Sequence, residues 1–384
     1  MTDPAPPDPA PPGPVWAGPV WAETDLDAVR HNARLLMEKA GGDEVVAVVK
    51  ADAYGHGAVP VARALGGVGV RRFAVARLDE AVALREAGVD GPLLVFAAPL
   101  DGELAAYERH GLTVTVSSPE VAAAVAGRGG LTVHVKVDTG MHRLGLAPGA
   151  AADIVRRLQA APGVAVEALW THLATADGDD AAFALEQVRR FDGVLRDLGD
   201  AAPPLVHVRN GPAVVRLPPL TSRPALVRLG GVLYGLASDP ALRPFMGGLR
   251  PALRLVARVV HLQTVERGES VSYGRTWTAE RPTRVATVAA GYADGVPRAL
   301  SNRGQVGIGG RRYAVVGRVC MDVLLVSLGA PDGPGGAVAR GDEAVVFGRG
   351  GPSAEEAAAA AGTISYELTC GLAARVPRVV RGAG

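Results

Sequence analysis

The sequence predicts an α/β protein, an N-terminal (β/α)8 TIM-like barrel followed by a mostly β C-terminal domain. Two observations carry this. Up to about residue 250, eight short apolar runs rich in β-branched residues alternate with helix-patterned segments, as parallel strands joined by crossover helices do. Beyond Pro251 the helices give way to short alternating segments punctuated by turn residues. The expected organisation is a Pro-rich leader over 1–14, a barrel over 15–250 and a β-rich domain over 251–384.

The elements follow in order. Seven of the first fourteen residues are proline, an extended composition with neither the basic start nor the apolar stretch of a secretory signal. From Asp25 to Ala40, Leu26, Val29, Leu35 and Leu36 mark an amphipathic helix that Gly41-Gly42 ends. The barrel strands are read at 45–50, 73–76, 93–96, 112–116, 132–137, 166–170, 205–208 and 225–229, with helices such as 79–88 and 183–199 between them. In the second domain the strands are read at 254–265, 284–290, 311–319 and 343–347. One helix interrupts them, opened by the capping box Ser353/Glu356.

Composition excludes several classes. Hydrophobic residues make up 48% of the 384, and the formal charge is only +1, so no field attracts nucleic acid or an anionic membrane. No apolar run approaches the ~18 residues of a membrane span. Two cysteines, Cys320 and Cys370, speak for a reducing, cytoplasmic setting without disulfides. Histidine, cysteine and carboxylate residues show no metal-ligand spacing, so no metal is expected.

In such a barrel, chemistry sits at the C-terminal ends of the strands, and polar residues cluster there: Lys50 before ADAYGHG, Lys136 before VDTGMHRLG, Thr171-His172, Arg209-Asn210-Gly211, and Arg228 before Gly230-Gly231. A strand-end lysine loses ammonium stability on burial and can then hold an aldehyde covalently through its amine. It can equally snorkel to solvent. The glycine pair could bare backbone amides to a phosphate or simply turn the chain. Arg228 could face a ring nitrogen or make a salt bridge, and His172 could fill the barrel mouth.

Eight motifs in order narrow the choice: VKADAYGHG (49–57), KVDTGMHRLG (136–145), THLATAD (171–177), VRLGGVLYG (227–235), SYGRTW (272–277), GYADG (291–295), GRVCMD (317–322) and ISYEL (364–368). Together they resemble the alanine racemase family from Trp21 to Arg378. The resemblance implies a cytoplasmic isomerase that uses pyridoxal 5'-phosphate to interconvert L- and D-alanine and supplies D-alanine for cell-wall peptidoglycan. It implies a homodimer whose active site is shared between subunits, with no nucleic-acid or membrane partner. Lys50 would hold the cofactor and act as one base, and Tyr273, from the second subunit, as the other. Tyr54, His172, Asn210, Arg228, Gly230, Gly231 and Tyr366 would surround the cofactor. Arg143 and the Met321 amide would hold the substrate carboxylate, and Lys136 matches a position that is carbamylated in many members. Asp322, Tyr292, Asp177, Arg298 and Arg318 would support the site or line its access channel.

Three departures stand out: Gly211 where a phosphate-binding serine is usual, Gly231 for an aliphatic residue, and Val296 for an aromatic one. The competing readings are a racemase of serine or of broader specificity, a decarboxylase of the same cofactor class, and a cofactor carrier without catalysis. Tyr273 and Arg228 together oppose a decarboxylase, and the C-terminal β domain opposes a carrier.

Overall fold

A computed structural model describes residues 18–178 and 180–382; the Pro-rich leader lies outside them. The chain forms two compact units that are not contiguous in sequence. One comprises Thr24–Leu253, Ser353–Leu372 and the chain from Val380; the other comprises Arg254–Pro352, Ala373–Val379 and the described residues up to Glu23. The sequence reading draws a single break near Pro251, but the chain changes unit several times.

The first unit is a parallel barrel. Its strands are Glu44–Val48, Arg72–Val75, Leu93–Val95, Thr113–Val116, Thr132–Lys136, Ala165–Trp170, Leu205–His207 and Leu226–Leu229, each paired with the next. The last returns to the first in the register Val46↔Arg228. Bridges Val206↔Ala225 and Asn210↔Arg228 close the ring. These are the eight runs read from the sequence. Being buried on both faces, such strands must be apolar almost throughout. Helix Leu26–Ala40 begins where the Asp25 side chain accepts from the Ala28 amide and ends at Gly41, whose φ of 70° only a residue without Cβ adopts cheaply. Helices Ala354–Ala361 and Ser365–Cys370 also belong to this unit. The capping box at Ser353 and Glu356 is formed.

The structure corrects the local reading at Lys50. The strand stops at Val48, and Lys50 opens a turn in which Ala51, Asp52, Ala53 and Tyr54 all have φ of 51–55°. Left-handed backbone costs non-glycine residues roughly 1–2 kcal/mol each, so the surroundings must impose it. The Ala53 amide donates to the Val49 carbonyl at 2.9 Å and that of Gly57 to Asp52 at 2.9 Å. Glu80 accepts from the Ala51 amide at 2.6 Å, and Asp52 Oδ1 from that of Ala58 at 2.7 Å. Gly55 leaves no room for a Cβ, which would lie 2.0 Å from the Thr369 carbonyl oxygen.

The second unit is built on an eight-stranded sheet ordered Thr283–Val288, Leu324–Gly329, Arg311–Val315, Gln305–Ile308, Glu343–Phe347, Leu253–Val265, Val20–Asp25 and Arg378–Arg381. Thr283–Val288 also pairs with Leu253–Val265, curling the sheet on itself. A small hairpin of Ser270–Val271 and Trp277–Thr278 carries Tyr273 between its strands. Among the described residues, no helix is long and apolar enough to cross a membrane.

Candidate active site

The barrel mouth gathers four cationic or basic side chains that lie on or just after different strands. Burial, then Arg143, lowers the Lys50 amine below its ordinary value. Lys136 is buried at its strand end, its Nζ 4.9 Å from the Trp170 ring centroid; burial first, then Arg143 and Arg228, bring it down to about 8. Arg228 is buried on the last strand, and burial with Arg143 pulls it down to about 9, still a cation at neutral pH. Its guanidinium donates to the carbonyls of His207 at 2.8 Å and Thr171 at 2.8 Å, to His207 Nδ1 at 3.1 Å and to His172 Nδ1 at 3.3 Å. No carboxylate among the described residues pairs with it. Burial, followed by Arg228 and the other cations, holds His172 neutral.

Beside these lies a cradle of glycine backbone and phenols. A Cβ at Gly230 would stand 2.5 Å from the Tyr54 hydroxyl, and one at Gly231 2.1 Å from that of Tyr366. The Tyr54 and Tyr366 rings meet edge to face at 5.3 Å. Burial raises both phenols, Tyr366 to about 12, so both remain hydrogen-bond donors. Asn210 caps the following helix by accepting from Ala213 at 3.1 Å, and its amide donates to Leu173 O at 3.3 Å. Asp177 accepts from Ser238 at 2.7 Å. Arg143 is exposed.

In the other unit, Tyr273 is 71% exposed and Met321 52% exposed. Left-handed backbone at Ser272 (φ 63°), Gly274 and Arg275 presents the Tyr273 side chain, and the Ser272 hydroxyl donates to the Arg318 carbonyl at 2.6 Å. The Tyr292 and Ala293 amides donate to the carbonyls of Cys320 and Met321, each at 3.0 Å, tying GYADG to GRVCMD. Arg375 bridges Asp294 and Asp322 at 2.7 Å each. Tyr292, Arg298 and Arg318 are exposed. Val296 is buried.

Four contributors escaped the sequence reading: Tyr234, His207, Trp170 and Arg375. Tyr234 is fully buried, its ring tilted against that of Tyr54 with centroids 5.2 Å apart, and it donates to the Val48 carbonyl at 3.0 Å. His207 and Trp170, stacked at 5.1 Å, flank Arg228. The signal lay in the strands: a polar ring inside an apolar run such as LVHV must point into a lined interior. Arg375 carried no such signal.

Comparison with known proteins now decides the family. The Alanine racemase, N-terminal domain, matches residues 24–238, and the Alanine racemase, C-terminal domain, matches 252–380. The chain belongs to the alanine racemase family. It is 41% identical over 369 residues to the alanine racemase of Chlorobaculum tepidum, covering 92% of this chain and 94% of that one. It is 40% identical to that of Geobacillus stearothermophilus, covering 93% and 92%. Among solved structures, the alanine racemase of a D-cycloserine-producing Streptomyces lavendulae superposes with a TM-score of 0.87 at 37% identity, covering 95% and 97% of the two chains. That of E. faecalis gives 0.88 at 33%, covering 96% and 99%. The family's racemases thus share both the barrel and the strand-rich second part of this chain.

Proposed function

We propose that this chain interconverts L- and D-alanine with pyridoxal 5'-phosphate, in a cytoplasmic homodimer that takes Tyr273 of each site from the second copy and feeds D-alanine to wall polymers. The observation that carries the chemistry is a half-buried Lys50 amine, its pKa lowered, in the same barrel mouth as a buried Arg228 that no carboxylate among the described residues pairs with.

The residues fit the cofactor. Lys50 offers an amine for its aldehyde. Tyr54, Tyr366 and the bare backbone of Gly230 and Gly231 offer a phosphate donors close to the main chain. Asn210 and His172 stand at neighbouring strand ends. When bound, the cofactor supplies a sink for the electron pair left when Cα loses a proton.

The rest is work for this chain. Lys50 Nζ, whose ammonium form burial disfavours, takes or returns the proton on one face of Cα; Tyr273 Oη does so on the other. Two fixed bases invert the centre without moving the substrate. Arg143 and the Met321 amide hold the carboxylate, and Asp322 supports Met321. A carbamate on Lys136 would turn a cation repelling Arg143 into an anion that orients it. Arg228 can only donate, so it cannot keep a ring nitrogen protonated, which limits side reactions. Tyr292, Asp177, Arg298 and Arg318 restrict access and favour a small side chain.

The test is loss of circular dichroism from pure L-alanine. Wild type should reach a near-equal mixture, whereas Lys50→Ala and Tyr273→Ala should not. An unchanged signal with wild type and bound cofactor would overturn the substrate. Faster turnover of serine than of alanine would favour the broader racemase.

A further inference from the structure

Behind Arg228 the barrel interior holds a chain of polar groups that the proposed reaction does not use. Its members come from four strands: His207, His134, Glu167 and Arg72. His207 and His134 are fully buried, and their rings meet edge to face at 5.0 Å. Glu167 Oε2 lies 2.7 Å from His134 Nε2, and its other oxygen lies 3.0 Å from Arg72. Arg72 reaches Glu44 at 2.8 Å. Glu167 also lines a cavity of about 330 Å³ with Pro92, Tyr107, Leu112 and Leu131, away from the strand ends that carry Lys50 and Lys136.

The protonation of each ring follows from its partner. A guanidinium can only donate, so His207 Nδ1 must accept from Arg228 and the ring proton must sit on Nε2. Glu167 is ionised: its bond to His134 and the Arg72 charge hold its carboxyl down to about 2. It can only accept, so His134 must carry its proton on Nε2. Burial keeps both rings neutral. That leaves a bare donor, His207 Nε2–H, and a bare acceptor, His134 Nδ1, on two rings in van der Waals contact. These two atoms are among the few buried polar atoms without a hydrogen-bond partner. Unmet buried groups of this kind are costly and uncommon, and here they are complementary.

We propose that His207 Nε2–H and His134 Nδ1 partner each other, directly or through one buried water, so that Arg228, His207, His134 and Glu167 form one polarised chain. Its far end supplies the negative charge that Arg228 lacks nearby. It fixes the guanidinium's orientation toward the barrel mouth without placing an anion where a ring nitrogen could be protonated. His207, His134 and Glu167 are positioning residues. This inference rests on the reading that Arg228 faces the cofactor ring.

The test combines two readouts. In ligand-free protein with ¹⁵N-labelled histidine, His207 and His134 should both carry their proton on Nε2 at neutral pH. Glu167→Gln should move the His207 ring signals, although His207 does not touch Glu167. In the holoenzyme, Glu167→Gln should lower kcat roughly tenfold, shift the bound-cofactor absorbance and leave KM within about twofold. His134→Leu should reproduce this, and His134→Gln, which keeps a donor and an acceptor, should restore most of it. Glu44→Gln should change nothing. A His207 proton on Nδ1, or His207 signals indifferent to Glu167→Gln, would overturn the chain. Correct tautomers in a protein that binds no pyridoxal phosphate would instead overturn the proposed function.

Discussion

Gly211 lies directly against Val232: a Cβ at position 211 would stand 2.7 Å from Val232 Cγ2. The serine that the resemblance leads one to expect is therefore crowded out here by Val232, and accommodating it takes two changes. Gly211→Ser alone should destabilise the protein by about 1–3 kcal/mol through overpacking, read as a lower urea midpoint. Gly211→Ser with Val232→Ala should recover stability. A hydroxyl bonded to a phosphate is worth roughly 1.5–3 kcal/mol, so the double variant should bind pyridoxal phosphate about tenfold or more tightly. Cofactor affinity no better in the double variant than in wild type would refute this.

Lys136 titrates near 8. Because the neutral amine is the form that reacts with carbon dioxide, the carbamate should be favoured as pH rises through about 8 and stripped as pH falls below it. A ¹³C NMR signal in bicarbonate-treated protein, absent in Lys136→Ala, is the check. Loss of the carbamate should raise KM for alanine, since Arg143 is then oriented by no anion.

Glu167 gives a stability signature with a definite sign. Its folded value of about 2 lies below the 4.5 of an ordinary glutamate. The folded state therefore binds fewer protons than the unfolded state between these values. The stabilisation is complete above about 4.5 and is lost as pH falls toward about 2. Thermal melts should show this slope in wild type and a shallower one in Glu167→Gln; equal slopes would show that Glu167 is not so held.

Arg375 joins Asp294, which accepts from the Gly291 amide at 2.9 Å, to Asp322 beside Met321. Arg375→Ala should loosen both turns. The expected result is a KM for alanine raised by roughly fivefold with kcat changed less, because the amide proposed to bind the carboxylate is displaced while the two proposed bases are untouched. A fall in kcat alone would show that Arg375 acts elsewhere.

Much of this was legible in the sequence, and the exceptions have physical causes. The eight barrel strands could be read because burial on both faces forces apolar, β-branched runs. The turn after Lys50 could not: Ala-Asp-Ala-Tyr has no preference for positive φ, and only Gly55 against Thr369 and the bonds to Glu80 and Asp52 impose it. Helix Ser365–Cys370 is too short to show a period, so Tyr366 could be placed only by resemblance. The histidine pair was visible as letters in TVHVK and LVH, but its meaning depends on strand register, Thr115↔His134 and Trp170↔His207, which no single strand reveals.

The discontinuous units bear on how the polypeptide can be divided. A gene cut near Pro251 and expressed as two pieces would leave the first without Ser353–Leu372, hence without Tyr366, and the second without the strand that begins at Val20. Neither half would own all of its fold. Fragment complementation should therefore need both pieces made together, whereas a nick in an exposed turn such as Gly309-Gly310, inside one unit, should be tolerated.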